Sequence, residues 1–203
     1  MRKIVLLLTM IAISIIGFSQ SEDVDAKRLK FGFNLGINYS NLQSKEILQT
    51  NSEIYNGFGI EFGIFLDYKI AKNLFLSPKA EVLFNKSGIN TTNTNGEVIS
   101  YKVFPVSVEI MTHLKYRIGT KKTKPYLLIG PKYRHSLAQS NSSTYFGNNP
   151  DFAIDVGVGL ENNLSYFVFS PEIRYSFGLL NINANPSFQI LKYHAITLVL
   201  NFK

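Results

Sequence analysis

The chain contains no cysteine among its 203 residues. That excludes a disulfide framework and a lipidated N-terminal cysteine. Histidine is scarce: His113, His135 and His194 are the whole set, and they show no metal-ligand spacing. There is no phosphate-binding loop and no Asp-His-Ser pattern. His135 adjoins Ser136, but neighbours on a strand point to opposite faces and cannot act together. Beyond Ile16 no apolar run is long enough for a membrane-spanning helix, so any later span must be made of strands. The formal charge of +7 falls to +5 without Arg2 and Lys3, and the basic residues are scattered. No helix or aromatic-basic platform collects them, which argues against nucleic acid as a partner.

What is present is alternation. Phe31, Phe33, Leu35, Ile37 and Tyr39 share one parity, and Gly32, Asn34, Gly36, Asn38 and Ser40 share the other. A strand has a side-chain period of two, so this stretch has one apolar wall and one small, polar wall. The pattern returns at Phe58–Tyr68, with Gly59, Glu61, Gly63 and Asp67 opposite, and at Phe152–Leu160, with Asp155 and Glu161 opposite. Charge confined to one face of successive strands is the signature of a transmembrane β-barrel. A lipocalin-like soluble barrel also alternates, but it keeps its apolar face inside.

The N-terminus indicates export. Arg2 and Lys3 precede an apolar run, Ile4–Ile16, followed by the small residues Gly17 and Ser19. This predicts a signal peptide over residues 1–19, cleaved near Ser19-Gln20, rather than a membrane anchor, because the apolar run is too short to span. Residues 20–28 read as a polar periplasmic lead-in, and 29–203 as the barrel domain.

About eight strands follow: Leu29–Leu42, Asn56–Ile70, Leu74–Lys86, Val98–Tyr116, Pro125–Leu137, Asp151–Glu161, Leu164–Gly178 and Lys192–Lys203. The connections alternate long and short. Gln43–Tyr55, Ser87–Glu97, Ala138–Pro150 and Leu179–Leu191 are long loops. Ala71-Lys72-Asn73, Gly119–Lys124 and Asn162-Asn163 are turns. This is the layout of an all-β, up-and-down antiparallel transmembrane barrel, and an even strand count puts both termini in the periplasm. Pro78, Pro105, Pro131 and Pro171 fall inside strands, where each removes a ladder hydrogen bond, and they are expected to mark bulges or rims. The final strand places Ile196, Leu198, Leu200 and Phe202 on one face, an aromatic-ended pattern that resembles the signal read by barrel assembly machinery.

Eight strands enclose a lumen that side chains can fill. The polar parity places Glu61, Asp67, Lys79, Glu81, Glu109, Lys115, Lys132, Arg134, Asp155, Glu161, Glu172 and Arg174 there, a nearly balanced set suited to an ion-pair network. If Asn162-Asn163 is a two-residue turn, Asp151 faces Arg174 across that hairpin. No catalytic constellation, cofactor site or metal site emerges, so the chain reads as non-enzymatic.

Several segments resemble the PorT family of outer-membrane barrels. Lys30–Asn38 looks like the family's opening strand, and Gly63–Tyr68, Lys124–Leu127 and Phe169–Leu179 resemble later segments in the same order. The resemblance implies a barrel in the outer membrane of a Gram-negative bacterium. Through the family's founding member it implies an accessory role in type IX protein secretion, exercised through secretion-system subunits. The chain is somewhat short for that member. The alternative is a general small outer-membrane barrel for envelope stability or surface adhesion. Outer-membrane lipid and, during insertion, the assembly machinery are the other expected partners.

Overall fold

The computed structural model describes residues 28–44, 52–92, 94–119, 122–137, 149–183 and 190–203. The expected signal peptide, nearly all of the lead-in and large parts of three of the long loops lie outside them. Among the described residues, eleven strands form: β1 Leu29–Ser44, β2 Ser52–Tyr55, β3 Gly57–Ala71, β4 Leu74–Asn85, β5 Gly88–Thr92, β6 Val98–Lys102, β7 Val106–Arg117, β8 Thr123–Ser136, β9 Asp151–Asn163, β10 Val168–Gly178 and β11 Leu191–Phe202. Eight of them close into an antiparallel barrel in the order β1-β11-β10-β9-β8-β7-β4-β3, and β2, β5 and β6 make a separate three-stranded sheet. The seam between first and last barrel strands is a full ladder, from Phe33 opposite Phe202 to Ser44 opposite Leu191. A closed barrel has no free edge, so every strand's backbone groups find partners without water.

The period-two pattern decides which wall faces out. Phe31, Phe33, Leu35 and Ile37 are exposed, as are Phe58, Ile60, Phe62 and Ile64, whereas Asn34, Asn38, Ser40, Glu61 and Asp67 are buried. This is the inverse of a soluble barrel, so the lipocalin-like arrangement does not hold. Arg28, Lys203, the turns at 72–73 and 164–167, and residues 118–119 and 122 lie at one rim, the turn end. The described parts of the long connections lie at the other rim, the loop end.

Three expectations change. Val98–Tyr116 is not one strand: it divides into β6 and β7 at Phe104, whose φ of 48° breaks the extended run just before Pro105. The loops Gln43–Tyr55 and Ser87–Glu97 contain β2 and β5, which join β6 in the loop-end sheet. Asn162-Asn163 is not a turn: β9 continues through both residues, and the hairpin closes at 164–167, where the Leu164 amide donates to the Phe167 carbonyl at 2.9 Å. Arg174 therefore stands opposite Gly157, and Asp151 stands opposite Arg134.

The prolines cause no bulge. Successive residues of a strand aim their backbone groups alternately at the left and right neighbours, so a proline weakens one ladder only. Pro78 keeps its place opposite Thr112, Pro131 opposite Ile154 and Pro171 opposite Leu200. On the other side each leaves a two-residue gap, between 65 and 68 of β3, 111 and 114 of β7, and 159 and 162 of β9. The register is the same on both sides of each gap. Pro105 lies at the rim before β7, where its carbonyl accepts from the Asn85 amide at 3.0 Å.

Two measurements check this architecture. Unboiled protein in SDS is expected to migrate differently from boiled protein and to give a β-type far-ultraviolet circular dichroism spectrum. A predominantly helical spectrum would contradict the barrel. Leu35→Arg puts a charge at mid-strand on the apolar exterior and is expected to cost roughly 2–4 kcal/mol, read as a lower temperature for loss of the folded band.

Candidate functional site

The lumen is the chemically dense part of the molecule, and its side chains come from all eight barrel strands. Eight carboxylates are buried there: Glu61, Asp67, Glu81, Glu109, Asp151, Asp155, Glu161 and Glu172. Lys79, Lys115, Lys132, Arg134 and Arg174 are buried among them, with Lys30, Arg117 and Lys124 towards the turn end. A charge removed from water is tolerated only when paired and hydrogen-bonded, and the lumen meets that demand in three tiers.

The middle tier centres on Arg174. Its guanidinium reaches Glu61 and Glu81 at 2.7 Å each, with Asp155 at 3.6 Å and Glu172 at 3.8 Å. Arg174 lies on β10, whereas Glu61 and Glu81 lie on β3 and β4, so the contact crosses the lumen. Asn34 adds a hydrogen bond from Nδ2 to Glu81 at 2.9 Å. Lys79 donates to Glu172 at 3.0 Å and to the Asn201 side-chain oxygen at 3.3 Å. The Tyr126 hydroxyl donates to the other Glu172 oxygen at 2.8 Å. That tyrosine fits because it lies opposite Gly159, where a Cβ would collide with its ring. Phe65 lies over Gly32 in the same way.

Nearer the loop end, Arg134 holds Glu109 at 2.6 Å and Asp151 at 2.8 Å, and its guanidinium stacks 4.0 Å from the Tyr193 ring centre. Lys132 joins Glu109 at 2.9 Å and Asp155 at 3.3 Å. At the turn end Lys115 approaches Asp67 at 3.2 Å, and Arg117 approaches Glu161 at 3.1 Å. Lys203 bridges the two acids, contacting Asp67 and, at 2.6 Å, Glu161.

The Glu61, Glu81 and Glu109 carboxylates each offer an oxygen within 4.8 Å of the others, a spacing that could share a cation. Arg174 already bridges two of them, and Lys132 and Arg134 neutralise the third. The triad is thus the hub of an ion-pair network.

Above the network the loop end is sealed by an apolar cap of Leu42, Ile89, Val103, Phe104, Ile182, Leu191, Tyr193 and Ala195, with Ile54 and Tyr101 packed against it. Phe104 meets Tyr193 edge-on at 5.7 Å. Its left-handed backbone is costly for an aromatic residue, and complete burial of the ring offsets that cost.

The structure therefore brings Glu61, Asp67, Lys79, Glu81, Glu109, Lys115, Arg134, Asp151, Asp155, Glu172 and Arg174 into one lumen. It does not bring Asp151 to Arg174. Sequence reasoning missed His113, whose Nε2 lies 3.0 Å from Asp155 inside the wall, and also Lys203 and the aromatic cap. The parity of β7 could have placed His113, since it shares a face with Glu109 and Lys115. His135 and His194 lie on the outer parity. Ile196 and Leu198 are exposed on the exterior, and Phe202 stacks 5.1 Å from Phe33 across the closure seam and meets Phe169 of β10 at a tilt, 5.4 Å away.

Residues 18–183 match the family model described as the outer membrane protein beta-barrel domain. This chain belongs to that family. Its place is therefore the outer membrane, although nothing in the match is specific to PorT. Among solved structures, OprG from Pseudomonas aeruginosa is similar with a TM-score of 0.56 at 13% identity, covering 89% of this chain and 97% of that one. Neisserial surface protein A aligns with a TM-score of 0.49 at 13% identity, over 87% and 99%. The N-terminal barrel of OprF from Pseudomonas aeruginosa gives 0.47 at 13%, over 83% and 96%. At such identities the OprG likeness shows the fold alone. No curated protein matches the sequence.

Removing the hub cation leaves Glu61 and Glu81 facing each other without their shared partner. Arg174→Met is expected to destabilise the barrel by about 3–5 kcal/mol, and Glu61→Gln with Glu81→Gln to recover part of that loss. The readout is the temperature at which the folded band disappears. Strictly additive losses would contradict the network.

Proposed function

We propose that this family member is a non-enzymatic accessory barrel of type IX protein secretion, acting through protein–protein contacts rather than transport or catalysis. The observation that carries the reading is the filled lumen. Among the described residues, buried ion pairs occupy the bore and an apolar cap covers the loop end, which supports a role other than passage of a diffusing solute. The His113–Asp155 pair is fully buried, out of reach of a substrate. What stays accessible is the two rims and the apolar exterior. No cofactor is needed for such work. In this reading both termini face the periplasm, outer-membrane lipid covers the apolar exterior, and the assembly machinery reads the Ile196, Leu198, Leu200 and Phe202 face during insertion. The ordered resemblance to PorT segments supports secretion-system subunits as the partners.

One observation favours a second reading. The loop-end sheet of β2, β5 and β6 exposes Val98 and Ile99, two apolar residues in a region of long connections. Exposed apolar side chains beside a sheet suit surface adhesion or envelope stability.

An in-frame deletion separates the two. Loss of type IX cargo from the culture medium, with loss of spreading, is the expected outcome. Retained export with altered envelope sensitivity favours the second reading. Steady conductance of the purified protein in planar bilayers would overturn both.

A further inference from the structure

The described acidic side chains are distributed unevenly along the barrel axis. Among the described residues the exposed carboxylates are Glu53 and Glu97, on or beside the loop-end sheet. At the turn end the acids are Asp67 and Glu161, both buried and held by Lys115, Arg117 and Lys203. Among the described residues, the exposed charged side chains at that rim are therefore basic. Arg28 precedes β1, Lys72 forms the β3–β4 turn, and Lys122 lies between β7 and β8; all three are exposed. Because β1, β3, β4, β7 and β8 are consecutive in the wall, these residues mark out one continuous half of the rim. The other half is aromatic and apolar. The β9–β10 turn presents Leu164, Tyr166 and Phe167, with Tyr166 98% exposed.

Basic residues joined to exposed rings at the edge of an apolar belt fit a membrane–water interface. Arg28 shows the join directly: its guanidinium lies 5.3 Å from the ring centre of Tyr68, an outward-facing residue at the end of β3. We propose that the turn-end rim is a headgroup collar, in which Arg28, Lys72 and Lys122 hold anionic phospholipid headgroups of the adjoining leaflet while the aromatic half inserts beside them. The chemistry recognised is a phosphate monoanion at the depth of the Tyr68 ring. An acidic partner protein would need the basic charge alone; the contiguous apolar belt and the exposed turn aromatics favour lipid. The proposal does not depend on a secretion role, so its failure leaves that reading untouched.

The test uses the full mature chain in detergent, exchanged with equimolar phosphatidylglycerol and phosphatidylcholine, and native mass spectrometry to count retained lipid. Phosphatidylglycerol is expected to be retained preferentially. The triple variant Arg28→Gln, Lys72→Gln, Lys122→Gln is expected to lose that preference, by roughly fivefold for each charge removed. Lys86→Gln with Lys102→Gln, at the loop end, is expected to leave it unchanged. Salt provides an independent reading if the triple variant folds poorly. Near 1 M salt the screening length falls to about 3 Å, and the preference of the wild-type chain is expected to collapse. Equal retention of the two lipids overturns the proposal. So does a preference that survives salt, or one carried intact by the folded triple variant. Displacement of the lipid by inorganic phosphate at matched concentration also overturns it, because the site would then read the free ion.

Discussion

A narrow bore that must hold charge is the constraint on which this structure depends. Eight strands leave space for side chains and little else. The exterior is given over to apolar residues, so the charged residues of the strands turn inward, where each unpaired charge is expensive. Arg174 answers this most fully, with four carboxylates within 4 Å of its guanidinium. Its contacts join β10 to β3, β4 and β9, so the same interaction that neutralises charge also fixes the barrel's cross-section. The glycines at 32 and 159 belong to this economy of space. They admit the Phe65 and Tyr126 rings, and the Tyr126 hydroxyl then serves Glu172.

Where strands alternate strictly, their faces were legible in the sequence. Residues 31–40 and 58–68 show apolar and polar parities with hardly an exception, and the walls follow them. Parity survives errors in strand ends, because an end can move without changing which face a residue takes. Register is a different quantity. Asn162-Asn163 looks like a hairpin turn, yet a four-residue connection at 164–167 satisfies the backbone and leaves Tyr166 and Phe167 at the rim. That choice moved Arg174 away from Asp151 while keeping both inside. Lumen membership could therefore be read from local sequence, but pairing across the lumen could not.

The loop-end cap shows a second limit. Ile89 and Ile182 lie in segments rich in Asn, Ser and Gly, where no period marks them as core, and Val103 and Phe104 lie in a stretch that reads as part of one long strand. They converge only because β2, β5 and β6 pair above the bore and β11 begins beneath them. The prolines teach the reverse lesson. Each looked disruptive when a strand was considered alone, but a strand has two neighbours, and only one ladder is interrupted. Pro78, Pro131 and Pro171 sit comfortably because the intact ladder holds the register across the gap.

Lys203 ties the chemistry of the bore to the order in which the barrel is completed. It follows the last strand, yet its ammonium settles between Asp67 on β3 and Glu161 on β9, on two separate parts of the wall. Until β11 docks on both β1 and β10, those two acids share their end of the bore without that cation. A half-zipped seam is therefore penalised electrostatically as well as by missing backbone bonds. Docking of the last strand thus supplies these two acids with a shared cation together with the backbone ladder.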